Sequence, residues 1–287
     1  MSQKYTVATQ TTLLPFLFEV LQGWSKKTIK QRLRGASVSV NGKVETQHNV
    51  ILLTGDEVAI GAAGRSREQK NTQHIKLDIL YQDKDLIAIN KPAGLLSVGT
   101  AKENRQHALA LLRTQLTRGK NSVRLWPVHR LDRETSGILL FATSKEIREA
   151  VMSDWHATEK VYLAVVEGVP DLQTGTVSEA LRPDTETYRM HVGAHPDAKP
   201  AVTHYEIKES TAHRALLEVH IETGRQHQIR AHMAWLGHSI VGDERYGTRG
   251  KRMGLHASRL SFCHPMNGER IVLEVQVPHD FFALLQA

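Results

Sequence analysis

Two short polar clusters hold the residue types from which a reaction is built. The first is His129-Arg130-Leu131-Asp132-Arg133-Glu134-Thr135-Ser136-Gly137, which runs directly into the apolar stretch Ile138 to Ala142. Asp132 stands between two arginines in sequence, and a nearby guanidinium favours a carboxylate's charged form. An ionised, desolvated carboxylate serves as a nucleophile or a base. A lone aspartate in such a turn can equally spend its oxygens on local hydrogen bonds. The second cluster is Thr223-Gly224-Arg225-Gln226-His227-Gln228-Ile229-Arg230-Ala231-His232. A helix from about Arg225 to Leu236 turns Ile229, Met233 and Leu236 toward a core and lines another face with Gln226, His227 and Arg230. That density of donors suits either a binding site or a solvated polar face.

Several familiar chemistries fail on spacing. His227 and His232 are five apart with no glutamate between them, whereas a helical pair of zinc ligands needs four. There is no phosphate-binding Walker signature, and Gly247 to Gly254 with Arg249, Lys251 and Arg252 reads as a basic flexible loop. Ile87-Ala88-Ile89-Asn90-Lys91 and His129-Arg130-Leu131-Asp132 faintly resemble kinase fragments, but each carries an inserted residue, and the glycine-rich loop and Asp-Phe-Gly are missing. A glycosidase needs a second, well-separated carboxylate, and Glu134 is only two residues from Asp132.

The elements that must position these clusters are mainly strands. Leu77 to Tyr81, Leu86 to Ile89, Ile138 to Ala142, Val161 to Glu167, Val202 to Lys208, Leu216 to Ile221 and Ile271 to Val277 have strand patterns. Thr143 with Glu146 suggests a capping box opening a helix whose Ile147, Val151 and Trp155 share a face. Strands in runs with a few helices, rather than strict alternation, predict an α+β domain with a mixed, mainly antiparallel central sheet and flanking helices. Ahead of it, Leu13 to Leu21 ends at Gly23, and Ser25 is placed to cap a second helix. Val38 to Val40, Asn41-Gly42 and Lys43-Val44 then give a strong hairpin signal. These boundaries predict a helix/hairpin unit over 1–61, a polar linker over 62–74 and a large domain over 75–287.

With 287 residues, 40% hydrophobic and 23% charged, the chain is ordinary for a globular protein and too long for one average domain. The single cysteine, Cys263, excludes an internal disulfide framework and thiolate zinc clusters. No apolar run approaches the roughly 20 residues of a bilayer-spanning helix, and Met1 to Gln10 has no signal-like pattern, so a cytoplasmic protein is expected. Of the net charge of +7, residues 1–75 contribute +5 (ten Lys and Arg, five Asp and Glu) and the remainder only +2. Lys26, Lys30 and Arg34 form one helical row, and Lys27 and Lys43 lie nearby, with no acidic residue between Trp24 and Lys43. Such a row repels itself unless an anion lies beside it.

Together, these residues resemble the RluA-type RNA pseudouridine synthases over about residues 77–277. The resemblance rests on Asn90-Lys91-Pro92-Ala93-Gly94-Leu95, the nonapeptide from His129 to Gly137 and Lys160-Val161-Tyr162-Leu163-Ala164. It continues through Thr223 to His232, Gly242-Asp243, Tyr246-Gly247, Leu255-His256-Ala257 and His264-Pro265. The N-terminal unit is similar to the small αL RNA-binding domain of the ribosomal-protein type, with Thr12-Leu13-Leu14-Pro15 replacing the usual Arg-Leu-Asp opening. The resemblance implies detachment of uracil from its ribose, rotation and reattachment through carbon 5, with no cofactor and no metal. It assigns the essential carboxylate to Asp132, by covalent attack or by removal of a ribose proton. Tyr162 is then the tyrosine under the uracil that helps move the carbon-5 proton, Arg230 the partner of Asp132, and Arg130 the side chain filling the gap of the flipped nucleotide. Lys26, Lys27, Lys30, Arg34 and Lys43 would grip RNA. The implied partner is a structured ribosomal or transfer RNA, with no membrane, and the chain is expected to act as a monomer. The competing expectation is a non-catalytic RNA-binding or ribosome-assembly factor that keeps the fold.

Overall fold

The computed structural model describes residues 3–35, 37–61, 76–100, 103, 106–117, 123–184 and 186–286. The expected linker over 62–74 lies outside the described residues. The chain divides into two units, Met1–Ile75 and Lys76–Ala287.

The first unit contains β1 (Gln3–Thr6), β2 (Thr11–Thr12), α1 (Leu13–Val20), α2 (Lys26–Arg34), β3 (Val38–Val40), β4 (Lys43–Val44), β5 (Ile51–Leu52) and β6 (Glu57–Ile60). Its main sheet runs β1-β6-β3-β4, all antiparallel, and β2 pairs with β5. Ser25 caps α2 by accepting from the Thr28 N–H at 3.1 Å. Pro15 falls in the first turn of α1, where a missing N–H costs no helical bond, so the altered opening still starts a helix. Asn41 and Gly42 both take positive φ (50° and 79°), the two-residue turn that matches strand twist. Leu13, Leu17, Ile29, Leu33, Leu52 and Val58 form the core of this unit. Lys26, Lys27, Lys30 and Lys43 are exposed, and no ion pair holds them among the described residues.

The second unit is built on a ten-stranded sheet. In chain order its elements are β7 (Asp78–Gln82), β8 (Leu86–Lys91), α3 (Ala108–Leu116), β9 (Trp126–Pro127), β10 (Ser136–Ala142), α4 (Lys145–Ser153) and β11 (Glu159–Glu167). There follow β12 (Thr174–Val177), β13 (Leu181–Asp184), β14 (Arg189–Val192), β15 (Thr203–Ser210), β16 (Arg214–Ile221), α5 (Gln228–Trp235), β17 (Leu255–Cys263), β18 (Arg270–Glu274) and α6 (Ala283–Gln286). The sheet order is β12-β15-β16-β11-β17-β10-β8-β7, with β18 beside β17 and β9 beside β10. Among the described strands of this sheet only β10 and β17 run parallel, so the sheet is mixed and mainly antiparallel as expected. β13 and β14 form a separate hairpin.

All seven residues of β10 are buried, which accounts for its unbroken apolar run. Leu139 and Phe141 pack with Leu112 of α3, while Ile138, Leu140 and Ala142 face Val151 of α4 and Leu260 and Phe262 of β17. At Gly137 a Cβ atom would stand 2.2 Å from the Ala257 carbonyl oxygen, so glycine is needed for β10 to meet β17. Two helix starts differ from expectation. α4 is capped by Ser144, whose hydroxyl accepts from Ile147 N at 3.2 Å, while Thr143 lies in the bend just after β10 and donates to the Lys84 carbonyl at 2.9 Å. α5 begins at Gln228 rather than Arg225 because residues 225–227 form a turn closed by the Gln228 side chain. Its Oε1 accepts from Arg225 N and its amide donates to the Val202 carbonyl.

Candidate active site

Asp132 lies on the segment between β9 and β10, held by backbone tethers on both sides. Buried Ser97 accepts from Leu131 N at 3.0 Å and donates to the Leu131 carbonyl at 2.7 Å. Lys91, fully buried at the end of β8, donates to the carbonyls of Pro92, Leu95 and Arg133 at 2.9, 2.7 and 3.1 Å. Burial pushes its amine down to about 7, opposed by the charges of Glu134 and Asp132. Three carbonyl acceptors match the three protons of an ammonium and exceed what a neutral amine can satisfy, so we assign the charged form.

The arginines next to Asp132 in sequence do not pair with it. Arg133 turns to the Gly94 carbonyl and to Glu134, and Arg130 is exposed. Arg230, which is 98 residues away, donates from Nη1 to Asp132 Oδ2 at 2.8 Å. The rest of its guanidinium is clamped by Asp243, from Nε to Oδ2 at 2.6 Å and from Nη2 to Oδ1 at 2.8 Å. Asp243 is fully buried and also accepts from the backbone N–H groups of Arg245 and Tyr246. Burial opposes both charges, but their mutual hydrogen bonds win: the Asp243 carboxyl is held below its ordinary range and Arg230 is held protonated. The preceding Gly242 (φ 76°) brings Asp243 inward, and a Cβ there would stand 1.9 Å from the Arg252 carbonyl oxygen.

Tyr162 sits on β11 beside a register shift relative to β17, half-buried between two core clusters. Burial and the neighbouring Asp132 charge push its phenol well above the usual value. His227 ends the turn before α5 in a left-handed conformation, with Nε2 3.8 Å from Asp132 Oδ1 and Nδ1 3.1 Å from the Tyr246 hydroxyl. It is therefore not on the helical face that the sequence pattern suggested. His129 is a packing residue: it accepts from Leu140 N, stacks on Trp155, and burial pushes it down to about 4.

Arg130, Asp132, Tyr162 and Arg230 line one groove of about 1470 Å³. Lys26, Lys27, Lys30 and Lys43 belong to the other unit, and the Arg34 side chain lies outside the described residues. Although the second unit is nearly neutral in sum, arginines from separate segments converge on the groove, among them Arg148, Arg189, Arg225, Arg245 and Arg249. Arg252, expected on a flexible loop, is tied to Asp280 and to Ser136 Oγ. No group of three or more potential metal ligands occurs among the described residues. Sequence reasoning missed the roles of Lys91, Asp243, His227 and Tyr246. Each is a chemically able residue within a motif already singled out, and each has at least one partner from another segment: Arg133 for Lys91, Arg230 for Asp243, Asp132 for His227 and Met190 for Tyr246.

The family model for RNA pseudouridylate synthase matches residues 85–235. "Ribosomal large subunit pseudouridine synthase D" of Escherichia coli (strain K12) is 33% identical, over 94% of this chain and 88% of that protein. "Uncharacterized RNA pseudouridine synthase YlyB" of Bacillus subtilis (strain 168) is 30% identical, over 94% of this chain and 92% of that protein. Among solved structures, "Human RNA Pseudouridylate Synthase Domain Containing 4" superposes with a TM-score of 0.61 at 27% identity, covering 73% of this chain and 92% of the other. With a family match across more than half its length and relatives 30–33% identical over 94% of the chain, the chain belongs to the RluA-type RNA pseudouridine synthases, enzymes that isomerise uridine in RNA.

Proposed function

We propose that this enzyme converts uridine to pseudouridine in the RNA of the large ribosomal subunit, working as a cytoplasmic monomer with Asp132 as the essential carboxylate. The observation that carries the assignment of Asp132 is its ion pair with Arg230 at the floor of an arginine-rich groove. The names of the relatives support a large-subunit substrate. No described helix is long and apolar enough to cross a membrane.

The groove's arginines suit a polyanionic strand, since phosphate contacts supply most of the affinity and steer association. A stacked uridine keeps its glycosidic bond out of reach, so it must leave the stack. Exposed Arg130, two residues before Asp132, is suited to fill the vacated space. Arg230 hydrogen-bonds one oxygen of Asp132 and leaves the other without a hydrogen bond, an arrangement compatible with attack on carbon or removal of a ribose proton. Tyr162 keeps its proton at neutral pH, which suits stacking under uracil and relaying the carbon-5 proton better than standing as a phenolate base. The N-terminal unit, with exposed Lys26, Lys27, Lys30 and Lys43 and with Arg34 in the same row, serves as an RNA grip of the αL type.

Asp132→Asn should abolish tritium release from carbon-5-labelled uridine in a large-subunit RNA transcript while leaving RNA affinity within about threefold; unchanged turnover would overturn the assignment. A pseudouridine map of ribosomal RNA from a strain lacking the gene should miss at least one large-subunit site. A map missing only transfer RNA sites would overturn the substrate.

A further inference from the structure

Asp132 is gripped through only one oxygen. Arg230 binds Oδ2 through a single N–H on Nη1, while its Nε and Nη2 each bond an oxygen of Asp243. One hydrogen bond leaves the carboxylate free to rock about its Cβ–Cγ bond, whereas a reacting oxygen needs a fixed direction.

The residue facing the other oxygen is held at a conformational cost. His227 has φ 50° and ψ 20°, and the only other non-glycine residues with positive φ among those described are Asn41 and Tyr188. A β-carbon in this region is strained, and such strain persists where the surroundings impose it. The hydrogen bonds around the ring assign it one tautomer. The Tyr246 hydroxyl accepts from Met190 N at 2.6 Å, which leaves its own hydrogen for His227 Nδ1 at 3.1 Å. With Nδ1 accepting, the proton of a neutral imidazole sits on Nε2, the atom 3.8 Å from Asp132 Oδ1. Burial disfavours a second proton. Arg230 and Arg245 work the same way, against Asp132 and Asp243, and the ring is pushed below its usual range. Tyr246 packs edge-on against it.

We propose that His227 is a positioning residue for Asp132, its Nε2–H forming the second anchor of the carboxylate, on Oδ1, once RNA fills the groove. The 3.8 Å separation is about 1 Å too long for a hydrogen bond. Such bonds are commonly long before substrate arrives and tighten in the complex. With both oxygens anchored, the carboxylate plane is fixed and the remaining Oδ1 lone pair points at the nucleotide. This inference rests on Asp132 being the reacting carboxylate.

Two substitutions separate the donor from the backbone. Asn accepts the left-handed conformation best, but its amide is too short to reach Asp132. Gln fits that backbone less well, but its Nε2 stands where the imidazole Nε2 stood. Single-turnover tritium release, RNA dissociation constants and melting temperatures are measured for His227→Asn and His227→Gln. His227→Asn should lose about tenfold or more in rate with RNA affinity within about twofold, and His227→Gln should recover most of that loss. Tyr246→Phe should slow the wild-type enzyme but add nothing in the His227→Asn background, the signature of one coupled unit. A purely structural role ranks the variants the other way, with Asn the better tolerated in rate and melting alike, and that ranking overturns the proposal, as does a normal rate in both. The Asp132→Asn control distinguishes the two levels. If it is inert while His227→Asn is normal, only the role of His227 falls; if it is active, the reading of Asp132 falls.

Discussion

Asp243 is buried and spends its carboxylate on Arg230 and two backbone N–H groups, and its replacement should be among the most damaging in the protein. Its carboxylate accepts four hydrogen bonds, at 2.6 and 2.8 Å from Arg230 and at 2.9 and 3.2 Å from the backbone of Arg245 and Tyr246. Asp243→Asn keeps the shape but turns an amide NH₂ toward N–H donors and leaves a buried guanidinium short of one carboxylate. Breaking a buried pair in this way costs about 3–5 kcal/mol. At roughly 2–4 °C per kcal/mol for a unit of this size, melting should fall by on the order of 10 °C. Arg230 would then hold Asp132 without its own anchor, and a misplacement of about 1 Å lowers rates on the order of 100-fold. Differential scanning fluorimetry reads the first effect, and tritium release well below the melting point reads the second. The pair Arg230→Met with Asp243→Leu sharpens the test, because removing both charges should recover part of the melting temperature, short of what the Arg245 and Tyr246 backbone N–H groups lose, while leaving the enzyme inactive. The reasoning also fixes a pH dependence. Asp243 is held below its ordinary 3.8 in the folded state, so its stabilisation is fully present above that value and is lost as pH falls through the lower folded one. Asp243→Asn should flatten that acid limb. A variant that melts within about 2 °C of wild type and turns over normally would refute the whole account.

Three further outcomes follow from the same geometry. Gly242→Ala should destabilise by about 3 kcal/mol or more and depress activity, because the new Cβ meets the Arg252 carbonyl at 1.9 Å; unchanged melting would contradict it. Lys91→Met should cost about 3 kcal/mol or more in chemical denaturation by leaving three carbonyls without a donor, and a loss under about 1 kcal/mol would remove Lys91 from the account of how the Asp132 segment is held. Lys26→Glu with Lys30→Glu should weaken RNA binding and lower the salt-dependence slope by about 1 per lost phosphate contact, measured by filter binding from low to moderate salt; an unchanged slope would remove these lysines from the RNA grip.

Local pattern carried most of the strands and the whole hairpin from Val38 to Val44, since alternation, Asn-Gly and Ser25 act over a few residues. It failed on β17, which pairs with β10, β11 and β18 and whose His256, Ser258 and Ser261 interrupt an apolar reading. Those polar residues are satisfied or enclosed only within the assembled sheet. The start of α5 was misplaced because Gln228 folds back to close a turn, a choice made by the distant Val202 carbonyl. At the candidate site, Asp132, Tyr162 and Arg230 were legible from motif and resemblance. The charge on Arg130 and Arg133 misled, because Arg133 turns to the Gly94 carbonyl and Glu134, Arg130 is exposed, and the guanidinium that pairs with Asp132 is 98 residues away. Lys91, Asp243 and Tyr246 stayed silent for the same reason: each acts through partners that only the fold supplies.

The parallel contact of β10 with β17 also bears on how the protein is made. Between Asp132 and the end of β17 at Cys263 lie 131 residues, which a ribosome adds in about 7–26 seconds at roughly 5–20 residues per second. During that interval β10 has β8 along one edge and, on the other, only β9 at Phe141 and Ala142, so that Ser136 and Gly137 still lack their β17 partners. An unfilled strand edge next to seven buried positions invites wrong pairing, which makes this the stage of synthesis at which a chaperone would matter most. Asp132 is therefore made early, and the strand that closes the sheet beside it is among the last to arrive.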